Sequence, residues 1–176
     1  NITGPVTVAT LINDDHIGPM LLDADRSGLA RTFPKRDAAV NTAENLHYNI
    51  ATLEAAGVPI LAGTDAPNPG TTQGASMHHE LELLVSAGLT NQQALAAATS
   101  RAADSFGLDD RGRIEPGKRA DLMLVNGNPL ADIKATRDIV GVWKAGHAID
   151  RETRRQKVAA AQEENDTDDS DQPDRD

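Results

Sequence analysis

The residues that could do chemistry gather around one short stretch, "VPILAGTDAPNPG", from Val58 to Gly70. A continuously apolar run ends there on Gly63, Thr64 and Asp65. A carboxylate at the end of a buried strand must be solvated, used as a cap, paired or bound to a cation. Three uses are structural: a helix cap, a turn or a surface ion pair. The chemical use is to bind a divalent cation, or to accept a proton from water that such a cation polarises. Gly63 allows close backbone approach, and Thr64 is placed to orient the Asp65 carboxylate. "APNPGTTQG" holds too many Pro and Gly residues for a minimal connector and reads as a shaped site loop.

The five histidines are His16, His47, His78, His79 and His147. None forms a His-x-His pair or a His-Glu-x-x-His motif. His78 and His79 are adjacent, so on a helix they diverge by about 100° and do not converge on one ion. His78, one turn into the helix after the Asp65 loop, is a candidate for contact with substrate or with a metal ligand. His16 lies in a loop that could also face a site. His79 is expected to face solvent, and His47 and His147 to be structural or exposed. With no cysteine, thiolate metal sites and thiol nucleophiles are excluded. No Gly-x-Ser-x-Gly elbow or Walker loop is present.

The elements that must position these groups alternate in type. "GPVTVATLI" (4–12) reads as a strand, 13–35 as a polar irregular stretch, and 36–56 as a long helix stopped by Gly57. "VPILAG" reads as a strand covered on both faces. A helix follows from Ser76 or Met77 to Ala87, then another, capped by Thr90, to Gly107. Strand, helix, strand, helix is the order of a parallel α/β sheet, whose sites lie at the carboxyl ends of the strands. Beyond Leu108 the pattern changes to short Gly-separated strands, including 122–125. No internal repeat is visible.

The 176 residues are 39% hydrophobic but only 2% aromatic, so alanine, leucine and valine must do most of the packing. The net charge of −10 is concentrated at the end: Glu163 to Asp176 carries eight acids and one Arg. That segment is expected to be a disordered acidic tail. Clustered Lys and Arg of a nucleic-acid surface are missing. No run reaches the roughly 20 apolar residues of a membrane span. The first residue is Asn1, with no signal-like segment before the first strand, so a fragment or processed chain is expected.

"VPILAGTDA", the "HxELxLLxxAGLT" helix and "GRIEPGKRADL" occur in order, and together they resemble the C-terminal part of the amidohydrolase superfamily. The likeness is nearest to its imidazolonepropionase-related and Xaa-Pro dipeptidase-like members and runs from about Val6 to Ile149. The resemblance implies an α/β fold: the last two strand–helix units of a (β/α)₈ TIM-type barrel with strands of a small flanking β-sandwich, incomplete as an isolated chain. Three parts are then expected: 1–107 a partial barrel, 108–151 a partial sandwich, with strands at 119–125 and 139–149, and 152–176 the acidic tail.

It further implies a metal-dependent hydrolase of C–N bonds in an amide, dipeptide or cyclic amide, using one or two divalent ions, zinc being the expected metal. Asp65 would be metal ligand and proton acceptor, with Thr64 and His78 as substrate-binding or supporting groups and 66–76 as a substrate-facing wall. The remaining ligands of this superfamily, a His-x-His, a Lys and two single His, have no counterpart here. A missing N-terminal barrel half or an oligomer partner is therefore expected. The contrasting expectation is an inactive truncated module, or one half of a split enzyme. Partners other than a small amide or peptide substrate, such as nucleic acid or membrane, are not expected; the default compartment is cytoplasmic.

Overall fold

The computed structural model describes residues 9–33 and 43–169. In chain order these form α1 (Ala9–Ile12), a 3-10 turn (Gly18–Met20), α2 (Asp23–Ala30), α3 (Ala43–Ala55), α4 (Ala75–Ser86), α5 (Asn91–Ala98), α6 (Ser100–Ser105), β1 (Leu122–Val125), a second 3-10 turn (Ile133–Arg137), β2 (Ile139–Lys144), β3 (His147–Ala148) and α7 (Arg151–Asp169). The result is an α/β arrangement with one antiparallel sheet, ordered β1-β2-β3. Leu122 pairs with Trp143 and Met123 with Val142, and a bulge falls between Leu124 and Val125. No helix among the described residues is long and apolar enough to cross a membrane.

The helices flanking the Asp65 loop form for local reasons. Thr90 accepts a hydrogen bond from the Gln93 N–H at 3.2 Å, while its own N–H donates to the Gln93 side-chain oxygen at 2.8 Å. This reciprocal capping fixes the start of α5. Leu81, Leu84, Leu89, Ala94, Ala97 and Ile133 then pack into one buried cluster. Leu11, Ile17, Leu21, Leu29 and Ala75 make a second. Each fully buried leucine contributes about 1.5–3 kcal/mol of transfer free energy, so the paired clusters dominate the packing.

Several expectations are corrected. The strand over 4–12 is not found where it can be seen: Ala9–Ile12 is helical, and 4–8 lie outside the described residues. With no strand beside it among the described residues, a helical turn satisfies this backbone internally and still buries Leu11 completely. The irregular stretch 13–35 contains α2, whose start is held by the Asp25 carboxylate accepting the Leu22 N–H at 3.1 Å. The long helix over 36–56 is seen as Ala43–Ala55, the residues 36–42 lying outside the described ones. Val58–Gly63 is not a paired strand. Its Ala62 N–H donates to the Ala97 carbonyl at 3.2 Å, and its Gly63 N–H to Glu80 Oε1 at 3.3 Å. Nor are both of its faces covered: Val58, Pro59 and Gly63 are exposed, and Ile60, Leu61 and Ala62 are half-buried. Apolarity misleads here because a strand needs a second strand, and none pairs with this one among the described residues.

The helix from Thr90 to Gly107 is broken at Thr99, whose hydroxyl turns back to the Leu95 carbonyl at 2.7 Å. The sheet strand expected from 119 begins at Leu122. The tail is corrected most: α7 runs through Asp169, although 170–176 lie outside the described residues. Charge composition argues for disorder, but Val158 is fully buried and Gln162 donates to the Leu21 carbonyl at 3.3 Å. Docking of one helix face outweighs the self-repulsion further along it.

Two tight contacts and one buried cation hold the packing. A Cβ at Gly18 would lie 2.6 Å from the Ile12 carbonyl oxygen, so this approach needs glycine. At Gly141 the ring of Trp143 occupies the corresponding space, at 2.6 Å. Arg137, 8% exposed, reaches Asp14 Oδ2 with Nη1 at 2.8 Å and Glu82 Oε1 with Nη2. Glu82 is itself only 2% exposed. Removing the cation alone strands a buried carboxylate, a loss of about 3–5 kcal/mol. We expect Arg137→Leu to lose this amount in chemical denaturation, and Arg137→Leu/Glu82→Leu to recover much of it. Equal stability of the single variant and the parent would show that the guanidinium holds nothing together.

Candidate functional site

Asp65 sits at the point where the extended segment turns. Its φ of 49° is left-handed, a region that Asp and Asn tolerate better than other L-residues. The carbonyl of Asp65 accepts the Asn68 N–H at 3.2 Å, closing a tight turn, while Asn68 Nδ2 donates to Asp65 Oδ2 at 2.7 Å. The side chain is exposed, and its other oxygen makes no hydrogen bond among the described residues. The loop behind it is anchored from both sides. Gly70 N–H donates to the Gly28 carbonyl at 3.0 Å. Thr72, 3% exposed, donates its hydroxyl to Asp25 Oδ1 at 2.7 Å and its N–H to Ser76 Oγ at 2.9 Å.

Sequence reasoning assigned the orienting hydrogen bond to Thr64. The group that reaches Asp65 is Asn68, and Thr64, half-buried, makes no hydrogen bond to it. The missed signal is the Asp-x-x-Asn spacing, in which a polar side chain three residues on can close a turn.

His78 is placed differently. It is 8% exposed on α4, and its Nδ1 lies 3.1 Å from Thr136 Oγ1. That hydroxyl already donates to the Ile133 carbonyl at 2.8 Å, so it accepts from His78, which fixes the proton on Nδ1. Burial pushes His78 down to about 4, the Arg137 and Arg151 charges adding to this and Asp14 opposing it. The imidazole is thus neutral at pH 7. Asp65 and His78 share no hydrogen bond or ion pair, and Asp65 does not line the cleft that His78 lines.

The other histidines separate further. His79, expected in solvent, is half-buried with an unpartnered Nδ1, and burial lowers its pKa. His16 lies 3.4 Å from Asp138, His47 Nε2 lies 3.4 Å from Ser86 Oγ, and His147 is exposed on β3.

Burial also raises Glu80, although the Gly63 N–H that it accepts pulls the other way. Asp14 is the reverse: burial would raise it, but the Arg137 hydrogen bond, the backbone N–H groups of Ile17 and His16 and the Arg137 charge hold it below the usual carboxylate range.

No group of three or more His, Asp and Glu side chains converges among the described residues. A divalent ion held by protein needs about three or four ligands. These residues therefore offer a single exposed carboxylate and do not by themselves fit a metal ion.

The model of the Amidohydrolase family matches residues 23–149, and the chain belongs to that family. It is 39% identical over 98 residues to an imidazolonepropionase of Deinococcus deserti, a match covering 53% of this chain and 24% of that one. Among solved structures it resembles a Xaa-Pro dipeptidase, at 30% identity and a TM-score of 0.55, over 60% of this chain and 26% of that one. It also resembles phenylurea hydrolase B, at 28% identity and a TM-score of 0.58, over 76% and 32%. The chain spans about a quarter of the length of the first curated relatives it matches.

The neutral His78 has a thermodynamic consequence. Its folded-state pKa lies below the unfolded value, so the unfolded chain takes up a proton first as pH falls. Stability is therefore lost between pH 6.5 and about 4, by roughly 3 kcal/mol for His78. His79 adds in the same direction. We expect the drop in unfolding free energy from pH 7 to pH 4.5 to shrink in His78→Gln. An undiminished drop would place the buried proton elsewhere.

Proposed function

We propose that this chain is the C-terminal share of a metal-dependent hydrolase that cleaves C–N bonds of an amide, dipeptide or cyclic amide. Its segments 1–107 and 108–151 would be the last two strand–helix units of a TIM-type barrel and part of a flanking sandwich. The observation that carries the reading is Asp65 itself: an exposed carboxylate in a left-handed turn, held by Asn68 and a loop anchored at Gly70 and Thr72. A carboxylate kept exposed on a loop that the rest of the fold anchors is a common arrangement of functional positions. Family membership and the likeness to hydrolases support the reaction class.

Asp65 is the ligand this chain contributes and the group that accepts the proton of the attacking water. Zinc, as one or two ions, would supply the polarising charge, with its further ligands drawn from polypeptide outside this sequence. Thr64 and the 66–76 loop would form a wall towards substrate, and His78 would act indirectly, by bracing α4 against Thr136. The shortage of donors favours a site completed by the rest of the same polypeptide or by a partner chain.

In the intact protein, Asp65→Asn is expected to lower kcat on a panel of dipeptide and amide substrates by about 10²–10⁴-fold, with little change in KM. The 176-residue chain alone is expected to show no turnover above background. Parent-like kcat in the Asp65→Asn protein would remove Asp65 from the chemistry.

A further inference from the structure

A cleft of about 640 Å³ lies between α4, α5, the first 3-10 turn, the sheet and the start of α7, away from Asp65. It falls within the size range of small-molecule sites. The chain has three methionines, Met20, Met77 and Met123, and all of them line this cleft. Leu81 and Leu95 extend the apolar wall. Thioethers are flexible and polarisable, and they suit surfaces that adapt to alkyl or aryl groups of varying shape.

The charged groups of the cleft are unequal. Arg151 and Arg154 lie three residues apart on α7, on the face that also buries Val158 and turns Gln162 towards Leu21. Neither guanidinium has a carboxylate within ion-pair distance among the described residues. Arg151 donates to the Ile139 carbonyl. Asp25 is the carboxylate in the lining, and both its oxygens are occupied, one by the Leu22 N–H and the other by the Thr72 hydroxyl. His78 is neutral and committed through Nδ1 to Thr136. An apolar chamber with unpaired cations beside it matches an amphiphile whose charge is negative.

We infer that this cleft binds a medium-chain monocarboxylate, its alkyl chain among the three methionines and its carboxylate against Arg151 and Arg154. The site is separate from the Asp65 turn and does not depend on the hydrolase reading.

The methionines make the test direct. The chain is labelled with methyl-¹³C methionine and titrated with octanoate, with octan-1-ol and octylammonium of equal chain length as controls. Octanoate is expected to shift all three methyl signals saturably and to raise the unfolding midpoint. Octan-1-ol should bind more weakly, and octylammonium should leave the signals in place. Arg154→Gln changes an exposed side chain with no ion-pair partner and is expected to weaken octanoate binding by roughly fivefold. The inference is overturned if octanoate moves none of the methyls, if the alcohol or the ammonium binds as tightly, or if Arg154→Gln leaves the affinity unchanged.

Discussion

Arg137 is the side chain through which the rest of the molecule is tied together. Its guanidinium joins Asp14, before the first 3-10 turn, to Glu82 in the middle of α4, from a position in the second 3-10 turn. These segments are 123 and 55 residues away along the chain. A buried ion pair gives little net stability against well-packed apolar residues, but it is costly to break, so it selects one arrangement of the segments it joins. Asp14 passes the constraint on: its other oxygen accepts the N–H groups of His16 and Ile17, both at 3.0 Å, and so shapes the turn that leads into Leu21. Thr136, next to Arg137, receives His78. This cation therefore adds a directional constraint to the position that α4 takes by supplying Ala75, Leu81 and Leu84 to the two apolar clusters.

Helix α4 carries that constraint to the candidate site. Glu80, half-buried on this helix, accepts the Gly63 N–H, two residues before Asp65. Ser76, in its first turn, accepts the Thr72 N–H, and Thr72 in turn holds Asp25 of α2. The turn that displays Asp65 is therefore gripped at its entrance by α4 and along its return by α2. Burial of Glu80 favours its protonated form, whereas the Gly63 N–H favours the carboxylate, so this grip is sensitive to the polarity around it.

Local signals in the sequence were legible where the answer is local. The Thr90 cap and the Gly57 stop are enough to place the start of α5 and the end of α3, because caps and stops act within a few residues. Asp65 stood out for a similar reason: a carboxylate ending an apolar run has no cheap place to be. The pairings were not legible. Val58–Gly63 has the composition of a buried strand, yet strand formation is decided by neighbours, and the described residues provide none. The acidic tail misled in the opposite sense. Its composition is that of a solvated segment, but Val158 and Gln162 fall on one face at helical spacing and find Leu21 and its surroundings. Nothing in the sequence announces Arg137, since its partners lie far away in the chain.

A single carboxylate and membership of a hydrolase family are compatible once the geometry of barrel sites is considered. On the proposed reading such a site collects groups from the ends of several strands, and a chain spanning about a quarter of its relatives' length would carry a share of them. What matters is whether that share is pre-formed. Asn68 Nδ2, the Asp65 carbonyl turn, the Gly70–Gly28 bond and the Thr72–Asp25 bond all belong to this chain. They hold the Asp65 carboxylate outward. The left-handed backbone at Asp65 is held by these bonds within the chain. A group displayed in this way could be completed by additional donors with little rearrangement, so the proposed role of Asp65 rests on the loop's anchoring more than on the carboxylate alone.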